Sequence, residues 1–152
     1  MRVAIASDHG GFEQKEQLAA YIKDELGCEV KDFGTTSEES VDYPDYAEPV
    51  ARAVASGEAD RGVLVCGTGI GMALAADKVG GVRASSITRP DFAQLFRQHN
   101  NGNVVCLSGR FVSLDENKEI VKIFLTTDFE GGRHEQRIAK IAKIEETERA
   151  GA

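Results

Sequence analysis

The chain has 152 residues, of which 41% are hydrophobic and 28% charged, and its net charge is −7. This composition excludes a disordered or fibrous chain, and the length is enough to bury a core without metals or disulfides. The acidic charge argues against nucleic-acid binding, and no apolar stretch approaches the ~18 residues that a membrane span requires.

The domain organisation is predicted to be a single domain over residues 1–152, because no linker, repeat or low-complexity segment interrupts the chain. Its three cysteines have no CxxC spacing and no zinc-type Cys/His cluster accompanies them, so we expect reduced thiols, no metal and a cytoplasmic location. The first residues enter a strand-like run without a long apolar region, and we therefore expect no signal peptide.

Apolar runs typical of buried strands alternate with segments of helical period. In chain order, the first half is predicted to form a strand over 2–7, a helix over 12–26, a strand over 28–34, a helix over 45–57 and a strand over 62–66. Gly27 is expected to end the first helix. Pro49 is compatible with the second helix only if it lies in the first turn.

The second half continues the same alternation. It is predicted to form a helix over 69–79, a strand over 82–87, a helix over 89–100, a strand over 103–109, a helix over 115–127 and a last helix over 133–148. The last helix carries only a narrow isoleucine stripe, which predicts docking on a partner subunit. Five strands alternating with helices predict an α/β sandwich in which a parallel sheet lies between two helical layers.

Cys66 ends the third predicted strand and precedes a glycine-rich turn, Gly67-Thr68-Gly69-Ile70-Gly71. The glycines expose backbone N–H groups that could bind a phosphate or a reaction oxyanion, and a helix beginning there would favour a thiolate. A buried cysteine before an ordinary turn is an equally compatible interpretation. A dinucleotide loop is disfavoured, because GTGIG lacks the GxGxxG spacing.

Two further groups of polar residues lie beside predicted strands. Asp8 and His9 follow the first strand, at the same sheet edge as Cys66, where they could bind a sugar or an anion. His99 and Asn100 end a helix, where the histidine could act as an acid/base group. The simpler alternatives are a capping aspartate beside a surface histidine, and a histidine that pairs with the last helix carbonyls.

Three arginines could bind a phosphate. Arg110 follows the fifth strand, while Arg133 and Arg137 are four residues apart and so share one helix face, with His134 between them. A solvated basic helix face is the simpler alternative. Acyl transfer by a Cys66–His99 pair would leave these arginines unexplained, and a sugar-phosphate sensor without catalysis is a third possibility.

Five segments, in this order between about Val3 and Glu145, resemble those of the type B ribose-5-phosphate isomerases: SDHGGF, DYPDYA, GVLVCGTGIGMALAADK, RQHNNGNVVCLSGR and FEGGRHEQRIAKI. The wider group also contains galactose-6-phosphate and allose-6-phosphate isomerases. The resemblance implies a Rossmann-like fold and aldose–ketose isomerisation without metal or cofactor. It also implies a homodimer with shared active sites, and leaves open whether dimers pair into tetramers.

The same resemblance implies residue roles. Cys66 matches the general base, and His99, with Asn100 beside it, matches the group that opens the sugar ring. The residues that would hold the enediolate oxygens are Gly67, Thr68, Gly69, Ile70 and Gly71. Those that would position the sugar or grip its phosphate are Asp8, Tyr43, His9, Arg110, Arg133 and Arg137. The segment from Ser85 to Phe92 departs from the family pattern near the expected sugar pocket, so the preferred aldose phosphate stays open.

Overall fold

Five parallel strands form a sheet with helices on both faces in the computed structural model, which describes residues 1–151. The strands are β1 Arg2–Ser7, β2 Glu29–Asp32, β3 Arg61–Cys66, β4 Ala84–Ser86 and β5 Val104–Ser108. The helices are α1 Phe12–Asp24, α2 Pro44–Ser56, α3 Ile70–Ala76, α4 Pro90–Asn100, α5 Leu114–Thr126 and α6 Arg133–Ala150, and a 3-10 turn spans His9–Gly11. The predicted α/β sandwich with a five-stranded parallel sheet is confirmed.

The strand order is β2-β1-β3-β5-β4. From β1 the chain moves outward to β2 and then crosses back to β3, so a crevice opens between the carboxyl ends of β1 and β3. Ser7 pairs with Val65, and Cys66 pairs with Ser108. The ends of β1, β3 and β5 therefore lie side by side at one edge, where a ligand site is expected.

The sheet separates two hydrophobic cores. On one face, strand residues pack with α1, α4 and α5, where Ile22 and Phe124 are fully buried. On the other face they pack with α2 and α3, where Val50 and Met72 are fully buried. Burial on both faces explains why the strands read as continuous apolar runs rather than as alternating ones.

Several elements are shorter than their apolar patterns predict. Strand β2 ends at Asp32, because its carboxylate accepts the N–H of Gly34 at 2.8 Å and Gly34 has a φ of +102°. Helix α3 has seven residues and stops at Ala76. The next residue, Asp77, accepts the N–H of Ala84 at 2.8 Å and so ties the end of this helix to the start of β4.

The expectation for Pro49 is wrong, because this proline is the sixth residue of α2 and lies beyond its first turn. Its missing N–H removes the helical bond to the carbonyl of Asp45, four residues earlier. Asp45 is exposed in the first turn, so water can bind that carbonyl and the helix tolerates the proline.

Helix α6 contacts its own chain at several points, one of which is the side chain of Glu145, whose two carboxylate oxygens each lie 3.1 Å from the N–H of Gly81. Part of its isoleucine stripe stays uncovered, with Ile141 53% and Ile144 66% exposed. Its docking on a partner subunit therefore stays a prediction. Within residues 1–151, no helix combines the length and apolarity needed to cross a membrane.

Gly11→Ala is expected to destabilise the fold by about 3 kcal/mol, the upper end of overpacking costs. A Cβ at Gly11 would lie 2.5 Å from the carbonyl oxygen of Val65, in the backbone of β3. Gly27→Ala is the matched control, because its Cβ would meet nothing within 4 Å and only its φ of +69° is unfavourable, at about 1 kcal/mol. Urea unfolding measures both, and equal losses would contradict the prediction.

Candidate active site

The turns that follow β1, β3 and β5 meet in backbone contact at the carboxyl edge of the sheet. The N–H of Gly109 donates to the carbonyl of Cys66 at 2.8 Å. A Cβ on Gly109 would lie 2.9 Å from the carbonyl oxygen of Gly10. Glycine is therefore required at Gly109, and the residues of all three turns are brought within reach of one small ligand.

Cys66 lies at the centre of this edge and is 5% exposed. Its Sγ accepts the N–H of Gly69 at 3.1 Å. Gly69 precedes α3 with a φ of +82°, and a Cβ there would lie 3.0 Å from the carbonyl oxygen of Cys106. An N–H directed at the sulfur stabilises negative charge on it, which is what a thiolate base requires.

The other two cysteines have different surroundings. Cys106 is fully buried in β5, and burial raises the pKa of its thiol well above the usual value, so this thiol stays protonated. Cys28 precedes β2 at the opposite edge of the sheet and its Sγ lies 3.8 Å from the carbonyl oxygen of Leu26. Among the three cysteines, only Cys66 combines the carboxyl edge with an N–H donor.

The glycine-rich turn presents unpaired donors. Within residues 1–151, the N–H groups of Gly67 and Thr68 have no hydrogen-bond acceptor. The hydroxyl of Thr68 accepts the N–H of Ile70 at 3.2 Å, which closes the turn into α3. Two adjacent free N–H groups beside a sulfur can bind an oxyanion that forms next to that sulfur.

Asp8 uses one of its two carboxylate oxygens to cap the 3-10 turn. Its Oδ1 accepts the N–H groups of Gly10 at 2.9 Å and Gly11 at 3.2 Å, so the capping interpretation is confirmed. Its Oδ2 makes no hydrogen bond within residues 1–151. The Nδ1 atom of His9 accepts the N–H of Val41 at 3.1 Å, which assigns the proton of the neutral ring to Nε2 as a donor.

Tyr43 and Arg110 border the same turn. A Cβ on Gly71 would lie 2.6 Å from the ring of Tyr43, so the ring packs against the first turn of α3. The guanidinium of Arg110 lies 3.3 Å from the Cβ positions of both Gly10 and Gly67. It forms no salt bridge within the described chain and so leaves a positive charge beside the free N–H groups.

His99, Asn100, Arg133 and Arg137 lie at the other edge of the sheet. Helix α4 begins after the carboxyl end of β4 and runs back, so its last residues precede the amino end of β5. The five residues of β5 separate the two edges by roughly 15 Å. A single chain therefore does not bring the imidazole of His99 to the sulfur of Cys66.

The ring of His99 stacks on that of His134, with centroids 4.3 Å apart and planes at 13°. Its Nε2 lies 3.4 Å from the carboxylate of Glu130, whose own N–H donates to the carbonyl of Gln98 at 3.1 Å. Pairing of His99 with the last helix carbonyls is not observed within residues 1–151; Asn101 ends α4 with a φ of +47°. Burial, aided by the positive groups nearby, lowers the pKa of His134.

Glu130 was not singled out from the sequence. The signal that could have identified it is its position directly before the Gly131-Gly132 pair that opens α6. With His99 and His134, Glu130 forms the only three-residue group of potential metal ligands in residues 1–151, with ligand atoms within 4.8 Å of one another. Because the two rings are nearly parallel, their lone pairs do not converge as a tetrahedral metal requires.

Arg133 and Arg137 are exposed one turn apart at the start of α6. Neither forms a salt bridge within the described residues, so two guanidinium groups remain available on one face. Asn100 lines a cavity of about 820 Å³ between α6 and the β4 region, together with Ser85. The basic residues near His99 thus form a second cluster, which is separate from the Cys66 edge.

The sequence model of the Ribose/Galactose Isomerase family matches residues 3–141. The chain is 48% identical over 145 residues to ribose-5-phosphate isomerase B of Escherichia coli (strain K12), covering 95% of this chain and 97% of that protein. Two solved structures are similar. The Clostridium thermocellum ribose-5-phosphate isomerase B has a TM-score of 0.94 at 48% identity, covering 97% of this chain and 99% of that one.

The second is the Mycoplasma genitalium ribose-5-phosphate isomerase B with bound ribulose-5-phosphate, which has a TM-score of 0.91 at 44% identity. The alignment covers 95% of this chain and 96% of that one. Fold, length and sequence therefore agree over nearly the whole chain. Together with the family match over residues 3–141, they show that this chain belongs to the Ribose/Galactose Isomerase family.

Proposed function

We propose that this chain is an aldose–ketose isomerase that interconverts ribose 5-phosphate and ribulose 5-phosphate as a single catalytic domain. Family membership and the names of its relatives support the reaction class. The observation that carries the proposal is the Cys66 sulfur beside the two unpaired N–H groups of Gly67 and Thr68. Three unpaired cysteines suit a reducing compartment, so we place the enzyme in the cytoplasm.

The proposed reaction begins with ring opening, because a closed sugar has no carbonyl to acidify the C2 proton. His99 moves a proton from the anomeric hydroxyl to the ring oxygen. The thiolate of Cys66 then takes the C2 proton, the hydroxyl proton on O2 passes to O1 in the enediolate, and the thiol returns a proton to C1. Between these steps the N–H groups of Gly67 and Thr68 stabilise the enediolate oxygen. The thiol hydrogen exchanges with solvent between these steps, while C2 is oxidised and C1 reduced within the same sugar, so the proposed reaction uses no cofactor or metal.

We propose that two copies of the chain form a homodimer in which each active site combines the carboxyl edge of one sheet with the amino edge of the other chain's sheet. Within one chain Cys66 and His99 lie at opposite edges, so a second copy must supply the imidazole. Exposed apolar side chains support such an interface: Ile70 is 57% and Leu74 63% exposed on α3, and Phe92 is 48% exposed on α4. The phosphate is then held by Arg110 of one chain and the α6 arginines of the other.

Arg137→Ala is expected to raise KM for ribose 5-phosphate about 10- to 100-fold with a smaller effect on kcat, because a charge-assisted hydrogen bond to phosphate contributes roughly 1.5–3 kcal/mol. Steady-state kinetics measure both constants. Lys140→Ala is the matched control, since Lys140 is an exposed cation on the same helix. An equal rise in KM for both variants would mean that only the general charge of α6 matters.

The decisive test of the proposed function is the reaction in D₂O with ribose 5-phosphate. We expect ribulose 5-phosphate that carries solvent deuterium, at a rate that EDTA does not change. Binding without exchange would favour a sugar-phosphate sensor, and a thioester on Cys66 detected by mass spectrometry would favour acyl transfer. Parallel kcat/KM measurements with allose 6-phosphate and galactose 6-phosphate show whether the enzyme prefers a six-carbon sugar phosphate to ribose 5-phosphate.

A further inference from the structure

The hydroxyl of Ser108 bridges two turns of the candidate site. Ser108 ends β5 and is 2% exposed. Its Oγ accepts the N–H of Phe111 at 3.0 Å and lies 2.7 Å from the carbonyl oxygen of Gly67. Because the N–H of Phe111 is the donor in the first contact, the hydroxyl proton is available for the carbonyl of Gly67.

The carbonyl of Gly67 is held from two sides, since it also accepts the N–H of Arg110 at 3.2 Å. In a planar trans peptide the C=O and the following N–H point in opposite directions. Because this carbonyl is fixed toward the turn after β5, the N–H of Thr68 points away from that turn, toward the exposed side of the glycine-rich turn beside Cys66. Glycine has little conformational preference of its own, so this peptide needs such an external constraint.

The turn that carries Ser108 is itself fixed by helices α1 and α5. The amide of Asn117 donates to the carbonyl of Ser108 at 3.0 Å and to Oε1 of Gln14 at 2.7 Å. The amide of Gln14 donates in turn to the carbonyls of Gly109 at 3.2 Å and Val112 at 2.8 Å. Ser108 therefore links the glycine-rich turn to a segment whose position is fixed by helices α1 and α5.

We propose that Ser108 is a positioning residue whose hydroxyl orients the Gly67–Thr68 peptide and so sets how strongly the turn binds the enediolate oxygen. This proposal rests on the proposed isomerase function. Removal of one donor from an oxyanion hole lowers kcat about 10²- to 10³-fold. Because Arg110 still holds the carbonyl in Ser108→Ala, we expect a smaller fall, about tenfold in kcat, with KM nearly unchanged.

The test compares Ser108→Ala with Ser113→Ala. The hydroxyl of Ser113 accepts the N–H of Glu116 at 3.1 Å and caps α5, so its loss affects stability without touching the turn. We expect Ser108→Ala alone to lower kcat and to weaken the binding of a sugar-phosphate hydroxamate, an analogue of the enediolate, by a similar factor. Equal kcat and equal hydroxamate affinity in Ser108→Ala and wild type would overturn the proposal, as would equal losses in both variants.

A second readout separates this proposal from the isomerase function. In ¹H–¹⁵N spectra without ligand, the amide signals of Gly67 and Thr68 are expected to move in Ser108→Ala and to stay in place in Ser113→Ala. If wild type does not isomerise ribose 5-phosphate, the proposed function fails, while this readout still decides the role of Ser108 in orienting the peptide. Unmoved amide signals in Ser108→Ala would refute that role.

Discussion

Cys66→Ala is expected to lower kcat for ribose 5-phosphate about 10³-fold, within the range for loss of a general base. The sulfur accepts the N–H of Gly69 at 3.1 Å and lies beside the N–H groups of Gly67 and Thr68, which have no acceptor within residues 1–151. Affinity for the sugar phosphate is expected to change little, because the groups assigned to phosphate and hydroxyl binding are retained. Steady-state kinetics measure the loss, and isothermal titration calorimetry with ribose 5-phosphate measures the affinity.

Cys28→Ala is the matched control for this variant. Cys28 is half-buried before β2, away from the glycine-rich turn, so its removal is expected to leave kcat unchanged. Cys106 is unsuitable as a control, because its burial beneath Gly69 couples it to the site. Wild-type kcat in Cys66→Ala would refute the assignment of the base.

Mixing two inactive variants, Cys66→Ala and His99→Ala, is expected to restore about a quarter of wild-type activity. When equal amounts of the two variants exchange subunits at random, half of the dimers are hybrids. Each hybrid has one intact site out of two. The intact site combines Cys66 from one chain with His99 from the other. The measurement is specific activity after the two variants are co-refolded or co-expressed.

A mixture of Cys66→Ala with the double variant Cys66→Ala/His99→Ala is the control, because no pairing of these chains creates an intact site. No recovery in the test mixture, at a dimer content shown by sedimentation, would contradict sharing of the site between subunits. Activity of the double variant alone would contradict both residue assignments.

The residues at the carboxyl edge could be predicted from sequence because parallel strands end together. Once the apolar runs were read as strands, Asp8, Cys66 and Arg110 had to share one edge. The capping role of Asp8 can be predicted for a similarly local reason, since an aspartate shortly before two glycines can accept their N–H groups. Such predictions depend on a few neighbouring residues and on one rule of sheet topology.

The rest depends on contacts between segments that are distant in the chain. The stacking of His99 on His134 requires the path of the segment before α6, which no local pattern gives. The second-turn position of Pro49 depends on where α2 begins, and helix starts are poorly defined by periodicity. The separation of His99 from Cys66 follows from the course of helix α4, which runs back across the sheet. The order of strands and helices is therefore enough to predict this separation.

The close approach of the Gly10, Cys66 and Gly109 backbones restricts where this family could acquire new preferences. A side chain at Gly109 would require main-chain atoms to move, because its Cβ would lie 2.9 Å from the carbonyl oxygen of Gly10, so the reacting centre can accept little variation there. Discrimination between shorter and longer sugars is then expected to come from the periphery, where Tyr43 is 39% exposed and Phe92 48% exposed. Members of the family would then share the reacting centre and differ in the sugar that they prefer.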